Sequence, residues 1–362
     1  MDDIQRRVQD ALDQLVESGE ERGLQVAAYR DGRQIVDAVA GVADPATGRP
    51  VTADTPFFSF SIGKGVAATV VAVLAERGVL DYDTPIAELW PEFGSRGKER
   101  ATVRHALSQS AGVPGLPGGL TMTDLCDWER ICAIIADAEP WWEPGTKIGY
   151  HAVTFGFLVG EIIRRASGKT IAEVLREEVA GPLGVADELF FAVPAPEIGR
   201  LARLEDAPAS REFAFAMPPD SPLRKIGPAE CTTAVLAANI PAGGTVTARA
   251  VARMYAALLG EVDGVRLISP ERLAQVSALS MSGPDQIFGF PTAWGLGFSI
   301  EQSPADAHET QHIFGVGGVG GSIANANART GTTFALTKNR LGTDFAAANR
   351  VAAIVAQALA AR

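Results

Sequence analysis

The apolar residues of this chain change period twice, and that order limits the folds open to it. Residues 2–18 place Ile4, Val8, Ala11, Leu12 and Leu15 at helical spacing, with acidic residues in the first turn. Two apolar runs follow, 24–30 and 33–40, joined by Asp31-Gly32, a dipeptide suited to the positive φ angles of a tight hairpin. From about residue 61 the pattern becomes helical, over 65–77, 151–166 and 171–179, with Gly78, Ser167-Gly168 and Gly181-Pro182 as stops. Thr247 and Ser269-Pro270-Glu271 read as caps opening two more helices. Strand patterns return at 295–300, 312–316, 322–326 and 332–338, before a closing helix over 344–361. Strands at both ends and helices between them predict an α/β (α+β) fold. In it an antiparallel sheet is flanked by the N- and C-terminal helices, and a mainly helical domain is inserted. The expected divisions are 1–60 with 286–362 for the α/β domain and 61–285 for the insertion. Loops 114–142 and 185–246 are expected to form pocket walls.

Composition bounds the function. A chain of 362 residues holds two domains, or one large domain with an insertion. A net charge of −11 makes it a poor counterion for phosphate backbones, so nucleic acid is not an expected partner. Cys126, Cys132 and Cys231 are odd in number and scattered, which excludes a disulfide framework. The start Met1-Asp2-Asp3 and the charges after it do not read as a secretory signal. The longest apolar run, 65–75, is too short for a membrane span, which needs about 20 residues. These features lead to the expectation of a cytoplasmic enzyme acting on small molecules.

Three short patterns imitate known sites. His308-Glu309-Thr310-Gln311-His312 fits H-E-x-x-H, but Pro304 and the glycines from Gly315 leave little room for the required helix. No His or Glu follows His312 as a third ligand, so no metal is expected. The glycines of 315–320 fit G-x-G-x-x-G but lead into a strand rather than a helix, so no dinucleotide cofactor is expected. Ser167-Gly168-Lys169-Thr170 lacks the first glycine of a P-loop and is read as a helix end.

Ser61-Ile62-Gly63-Lys64 carries chemistry instead. It lies where the strand-like stretch 56–60 gives way to an apolar helix. Residues three apart share a helix face, so Lys64 Nζ can approach Ser61 Oγ. The helix N-terminus adds unpaired N–H groups and a positive dipole end beside Ser61. A serine needs a base to become a nucleophile, and a lysine serves only when neutral. Phe57, Phe58, Phe60, Val66 and Ala67 would supply the burial that lowers its pKa.

The surroundings of this motif resemble a known family. Residues 102–114 (TVRHALSQSAGVP) are similar to its "LLxHtSGlp" segment, and Trp142-Glu143-Pro144-Gly145-Thr146 leads to Tyr150-His151-Ala152 as in its "PGxxxxYS/HN" block. Residues 160–169 resemble the end of the helix that follows, Trp294-Gly295-Leu296-Gly297-Phe298 resembles "WGLGf", and 314–322 resembles "FGHxGxxGGs". These blocks, in order, resemble the class C β-lactamase and penicillin-binding-protein-like superfamily, especially its family VIII carboxylesterase and acyltransferase branch. The resemblance implies Ser61 as nucleophile, Lys64 as its base partner and Tyr150 as a second proton carrier. It implies Ser61 and Val319 backbone N–H groups as the oxyanion hole. His151, Trp294, Val316, Gly317 and Gly318 are then expected to bind substrate. Two positions depart from the family: Ala152 replaces an asparagine, and Val316 replaces a polar or cationic residue.

The expected activity is hydrolysis of a small carboxylic ester through an acyl-enzyme, with no cofactor. An acyltransferase of the same fold, a non-catalytic scaffold, and a cell-wall peptidase or true β-lactamase are the rivals.

Overall fold

The computed structural model describes residues 2–207, 227–301, 312–342 and 344–360. A nine-stranded antiparallel sheet joins the two ends of the chain. In spatial order its strands are Arg49–Pro50, Arg33–Asp44, Gly23–Arg30, Thr332–Lys338, Ile323–Asn327, Ile313–Gly317, Ser299–Ile300, Pro291–Trp294 and Met281–Pro284. The ends meet at its third and fourth strands, where Leu24 faces Lys338 and Arg30 faces Thr332. Asp31 and Gly32 both have positive φ, as the hairpin dipeptide predicted.

Because strand side chains alternate, the strands Gly23–Arg30 and Thr332–Lys338 serve two cores. Val26, Ala28, Val36, Ala38 and Leu336 pack beneath the helices Asp2–Glu17 and Ala346–Ala360, against Val8, Leu12, Leu15, Val351 and Val355. On the other face Ala27, Tyr29, Phe314, Ala324 and Ala335 meet the main core. There the helix Ile62–Glu76 is buried from Ile62 to Ala75, as its Ala- and Val-rich, all-round apolar sequence demands. The helices Thr154–Ser167 and Ala248–Leu259 pack in the same core. Gly168 at φ +73° closes the first of these, so the P-loop imitation is a helix cap. Thr247 accepts the Ala250 N–H and Ser269 the Arg272 N–H, as the predicted caps require.

The sheet departs from the sequence reading at its far edge. Of the strand expected over 295–300, only Ser299–Ile300 forms, because Gly295 N–H donates to Phe298 O in a turn where Gly297 takes φ +89°. Two unexpected strands, Met281–Pro284 and Pro291–Trp294, extend the sheet, the first inside the segment expected to be inserted. Residues 57–58, 245–246 and 189–190 form a separate three-stranded ribbon. The glycine pattern 315–320 spans a strand and a turn before Ile323–Asn327, with no helix opening as a dinucleotide site needs. Of the H-E-x-x-H pattern, 308–311 lie outside the described residues, as do 208–226 of the expected pocket wall. Among the described residues no helix is long and apolar enough to cross a membrane, and no cluster of His, Cys, Asp or Glu could hold a metal ion.

Candidate active site

Ser61 occupies the position just before the helix Ile62–Glu76, yet its side chain makes no capping bond there. Its hydroxyl instead meets Tyr150 Oη at 2.7 Å and Lys64 Nζ at 3.3 Å. The residue before it, Phe60, holds φ +48°, a conformation costly for a bulky side chain and kept here by surrounding contacts. Phe60 O accepts the N–H groups of Gly63 and Gly244, both at 2.9 Å. The approach of 243–244 requires glycine at 63, because a Cβ there would lie 2.5 Å from Gly243 C.

Lys64 is fully buried, and this desolvation pushes its pKa down to about 7. Its Nζ donates to Ala152 O at 2.6 Å and reaches Ala242 O at 3.4 Å. It stands over the Tyr150 ring, 4.8 Å from the centroid. Burial also pushes the Tyr150 phenol up to about 12, and the carboxylate of Asp285 adds to the rise.

The loop segment bearing Tyr150 is held by its own backbone. Gly149 N–H donates to Gln109 O, Tyr150 N–H to Asp285 Oδ1, and His151 N–H to Gln109 Oε1. Gln109 pays for this grip with φ +60°. Asp285 is 1% exposed, and its carboxylate also accepts the N–H groups of Ile287 and Phe288 and the Thr292 hydroxyl. Neither Gln109 nor Asp285 stood out in the sequence, since no motif marks them and their partners are distant in the chain.

The other predicted residues divide. Gly318 abuts Ser61: a Cβ there would lie 2.2 Å from Ser59 O and 3.6 Å from Ser61 N. The start of the glycine-rich turn thus lies beside Ser61, and among the described residues neither the Ser61 nor the Val319 N–H donates to a backbone carbonyl. At Gly317 a Cβ would lie 2.7 Å from the Phe345 ring, so the position has no room for a side chain. His151 is corrected. Its Nε2 accepts the Val113 N–H, so Nδ1 carries the hydrogen and donates it to Gly149 O. Burial pushes its pKa down to about 4, and this neutral, fully buried ring braces the Tyr150 segment instead of offering a group to substrate. Val316 is only 4% exposed and converges with the Tyr255 hydroxyl on Gly65, so its side chain packs against the helix Ile62–Glu76 rather than standing open to a ligand. Trp294 is likewise buried, its ring 5.9 Å from that of Tyr150.

Fold and site together define an enzyme of the serine β-lactamase fold. The beta-lactamase family profile matches residues 8–357, and the chain belongs to that family. The esterase/beta-lactamase LipL of Mycobacterium tuberculosis is 36% identical over 341 residues, covering 87% of this chain and 76% of that protein. The crystal structure of a family VIII carboxylesterase superposes with TM-score 0.90 at 31% identity, over 98% of this chain and 97% of that one. A penicillin-binding-protein homologue from Caulobacter crescentus gives TM-score 0.87 at 32% identity, over 99% and 98% of the two chains.

Proposed function

We propose that this protein hydrolyses carboxylic esters through an acyl-enzyme on Ser61. The observation that carries this reading is the set of contacts around Lys64 Nζ. A neutral amine has two hydrogens and one lone pair. Ala152 O and Ala242 O can only accept, so they take the two hydrogens and leave the lone pair for the Ser61 hydroxyl. With a pKa near 7 the amine is available as a base at neutral pH, whereas a phenol near 12 remains protonated and acts as an acid.

Ser61 Oγ then attacks the ester carbonyl while its proton passes to Lys64. The N–H groups of Ser61 and Val319 support this reading as donors to the developing oxyanion. As the C–O bond breaks, Tyr150 gives its proton to the leaving alkoxide, and the proton held at Lys64 restores the phenol. Water attacks the acyl-Ser61 ester by the same route in reverse, releasing the acid. The esterase relatives support a small-molecule ester as substrate. Every group the cycle uses belongs to the chain, which favours catalysis over a scaffold role.

Intact-mass analysis after treatment with a fluorophosphonate tests the reading. One adduct is expected, located on Ser61 and absent from Ser61→Ala together with ester cleavage. Undiminished labelling or hydrolysis by Ser61→Ala would sink it.

A further inference from the structure

The hairpin turn between the strands Met281–Pro284 and Pro291–Trp294 holds aromatic rings against the reacting centre. Phe288 stacks on Tyr150 with centroids 4.9 Å apart and planes at 25°. Phe290 stacks on Phe288 at 5.1 Å and 4°. The strip thus begins at the ring whose hydroxyl touches Ser61 Oγ and ends at Phe290, which is 56% exposed, more than any other large hydrophobic side chain among the described residues.

The turn is built to keep that ring outside. Asp285 N–H donates to Phe290 O, Gly289 N–H to Asp285 O, and Gln286 N–H to Ile148 O. Asp285 adds its carboxylate bonds to Ile287, Phe288, Thr292 and Tyr150. A dense polar network therefore fixes an apolar surface in water beside the nucleophile, an arrangement suited to an apolar ligand group. Asp285 is the only ionisable residue of 285–290 and it is buried, so the strip presents no charge to bind an anionic group.

We infer that this strip is the subsite for the alcohol half of the ester, and that it selects neutral esters of aryl or medium-chain alcohols. The inference rests on the acyl-enzyme reading above. If Tyr150 protonates the leaving oxygen, the carbon chain on that oxygen departs past the edge of the Tyr150 ring, whose stacked partners Phe288 and then Phe290 line the way to solvent. The acyl chain, on the far side of the carbonyl, does not follow that line.

Three esters separate the two halves: ethyl acetate, octyl acetate and ethyl octanoate. The two alcohols are similar in acidity, so leaving-group chemistry is matched. For the wild type, kcat/KM for octyl acetate is expected to exceed that for ethyl acetate at least tenfold. Phe290→Ala should cut this ratio at least threefold and the Phe288→Ala/Phe290→Ala double variant further. The ratio of ethyl octanoate to ethyl acetate should stay within twofold in Phe290→Ala. An unchanged alcohol ratio in both variants, or a fall confined to the acyl ratio, would overturn the subsite. Because Phe290 is exposed, its single variant keeps the test valid if the double variant unfolds. Fluorophosphonate labelling of Ser61 is run on the same samples. Labelling with an unchanged alcohol ratio overturns the subsite alone, whereas an unlabelled wild type overturns the acyl-enzyme reading and the subsite with it.

Discussion

The backbone N–H of Tyr150 donates to the carboxylate of Asp285 at 3.2 Å, tying the residue whose phenol meets Ser61 to a turn far away in sequence. Without this bond the Tyr150 segment would keep its two anchors to Gln109 but lose the one at Tyr150 itself. Asp285→Ala leaves the N–H groups of Tyr150, Ile287 and Phe288 without their acceptor, at about 1–3 kcal/mol for each one that water does not reach. A tenfold or larger loss of kcat is expected, with a smaller change in KM for ethyl acetate. Asp285→Asn keeps an acceptor oxygen and should recover most of kcat. It also removes the charge that raises the Tyr150 pKa, so the alkaline limb of its pH–rate profile should move to lower pH. Equal losses for Ala and Asn, with an unmoved alkaline limb, would reduce Asp285 to a folding residue.

Lys64 should set the acid limb. Activity is expected to rise with pH through about 7 as the ammonium loses its proton. Lys64→Arg cannot deprotonate in this range and should lose at least about a hundredfold in kcat/KM. A wild-type profile flat between pH 5 and 9 would contradict the assignment.

The same residue makes stability depend on pH. The folded pKa lies below the ordinary 10.5, so between about 7 and 10.5 the unfolded chain binds more protons. Stability should therefore rise with pH across that window, by up to about 1.4 kcal/mol per unit from this group, and show no further dependence on it below about pH 7. Lys64→Met removes the titration. Subtracting its unfolding free energies from those of the wild type at pH 7, 8 and 9 should isolate the positive slope; a zero or negative slope would refute the buried neutral amine.

Local pattern carried some of these features and not others. The pairing of Ser61 with Lys64 was legible because a three-residue spacing on a helix is a geometric statement. The first hairpin was legible because Asp31-Gly32 tolerates the φ values it adopts. The strands Met281–Pro284 and Pro291–Trp294 were not, since Gly283 and the prolines 284 and 291 disfavour strand locally and tertiary pairing overrides them. His151 was placed among the binding residues by its neighbour Tyr150. What fixes its ring is Val113 on a loop distant in sequence, and no local signal reports that contact.

Tyr255 is fully buried, and among the described residues its hydroxyl has no hydrogen-bond partner where it meets Gly65. An unsatisfied buried hydroxyl costs about 1–3 kcal/mol, so Tyr255→Phe should leave stability unchanged or raise it by up to about that amount. The check is the urea midpoint at constant m-value. A clear loss of stability would show that the hydroxyl is satisfied in solution.

Val316 bears on β-lactam substrates. It offers neither donor nor charge, and burial against the helix Ile62–Glu76 keeps it from a ligand. Lys338 Nζ lies 3.4 Å from the Cβ position of Gly321 in the glycine-rich turn, but it is ion-paired with Glu21, both side chains being 5% exposed. A substrate carboxylate entering beside Gly318 and Val319 would thus lose water without gaining a cation, at a cost of roughly several kcal/mol. Phenyl acetate carries no such group. Its kcat/KM is expected to exceed that for benzylpenicillin at least about a hundredfold, a difference of about 2.7 kcal/mol in transition-state stabilisation. Val316→Lys should not restore penicillin turnover to the level of the ester, because the new ammonium would have to leave a buried site to reach the ligand. Comparable efficiency of the wild type on both substrates would show that a cation other than Lys338 meets the carboxylate.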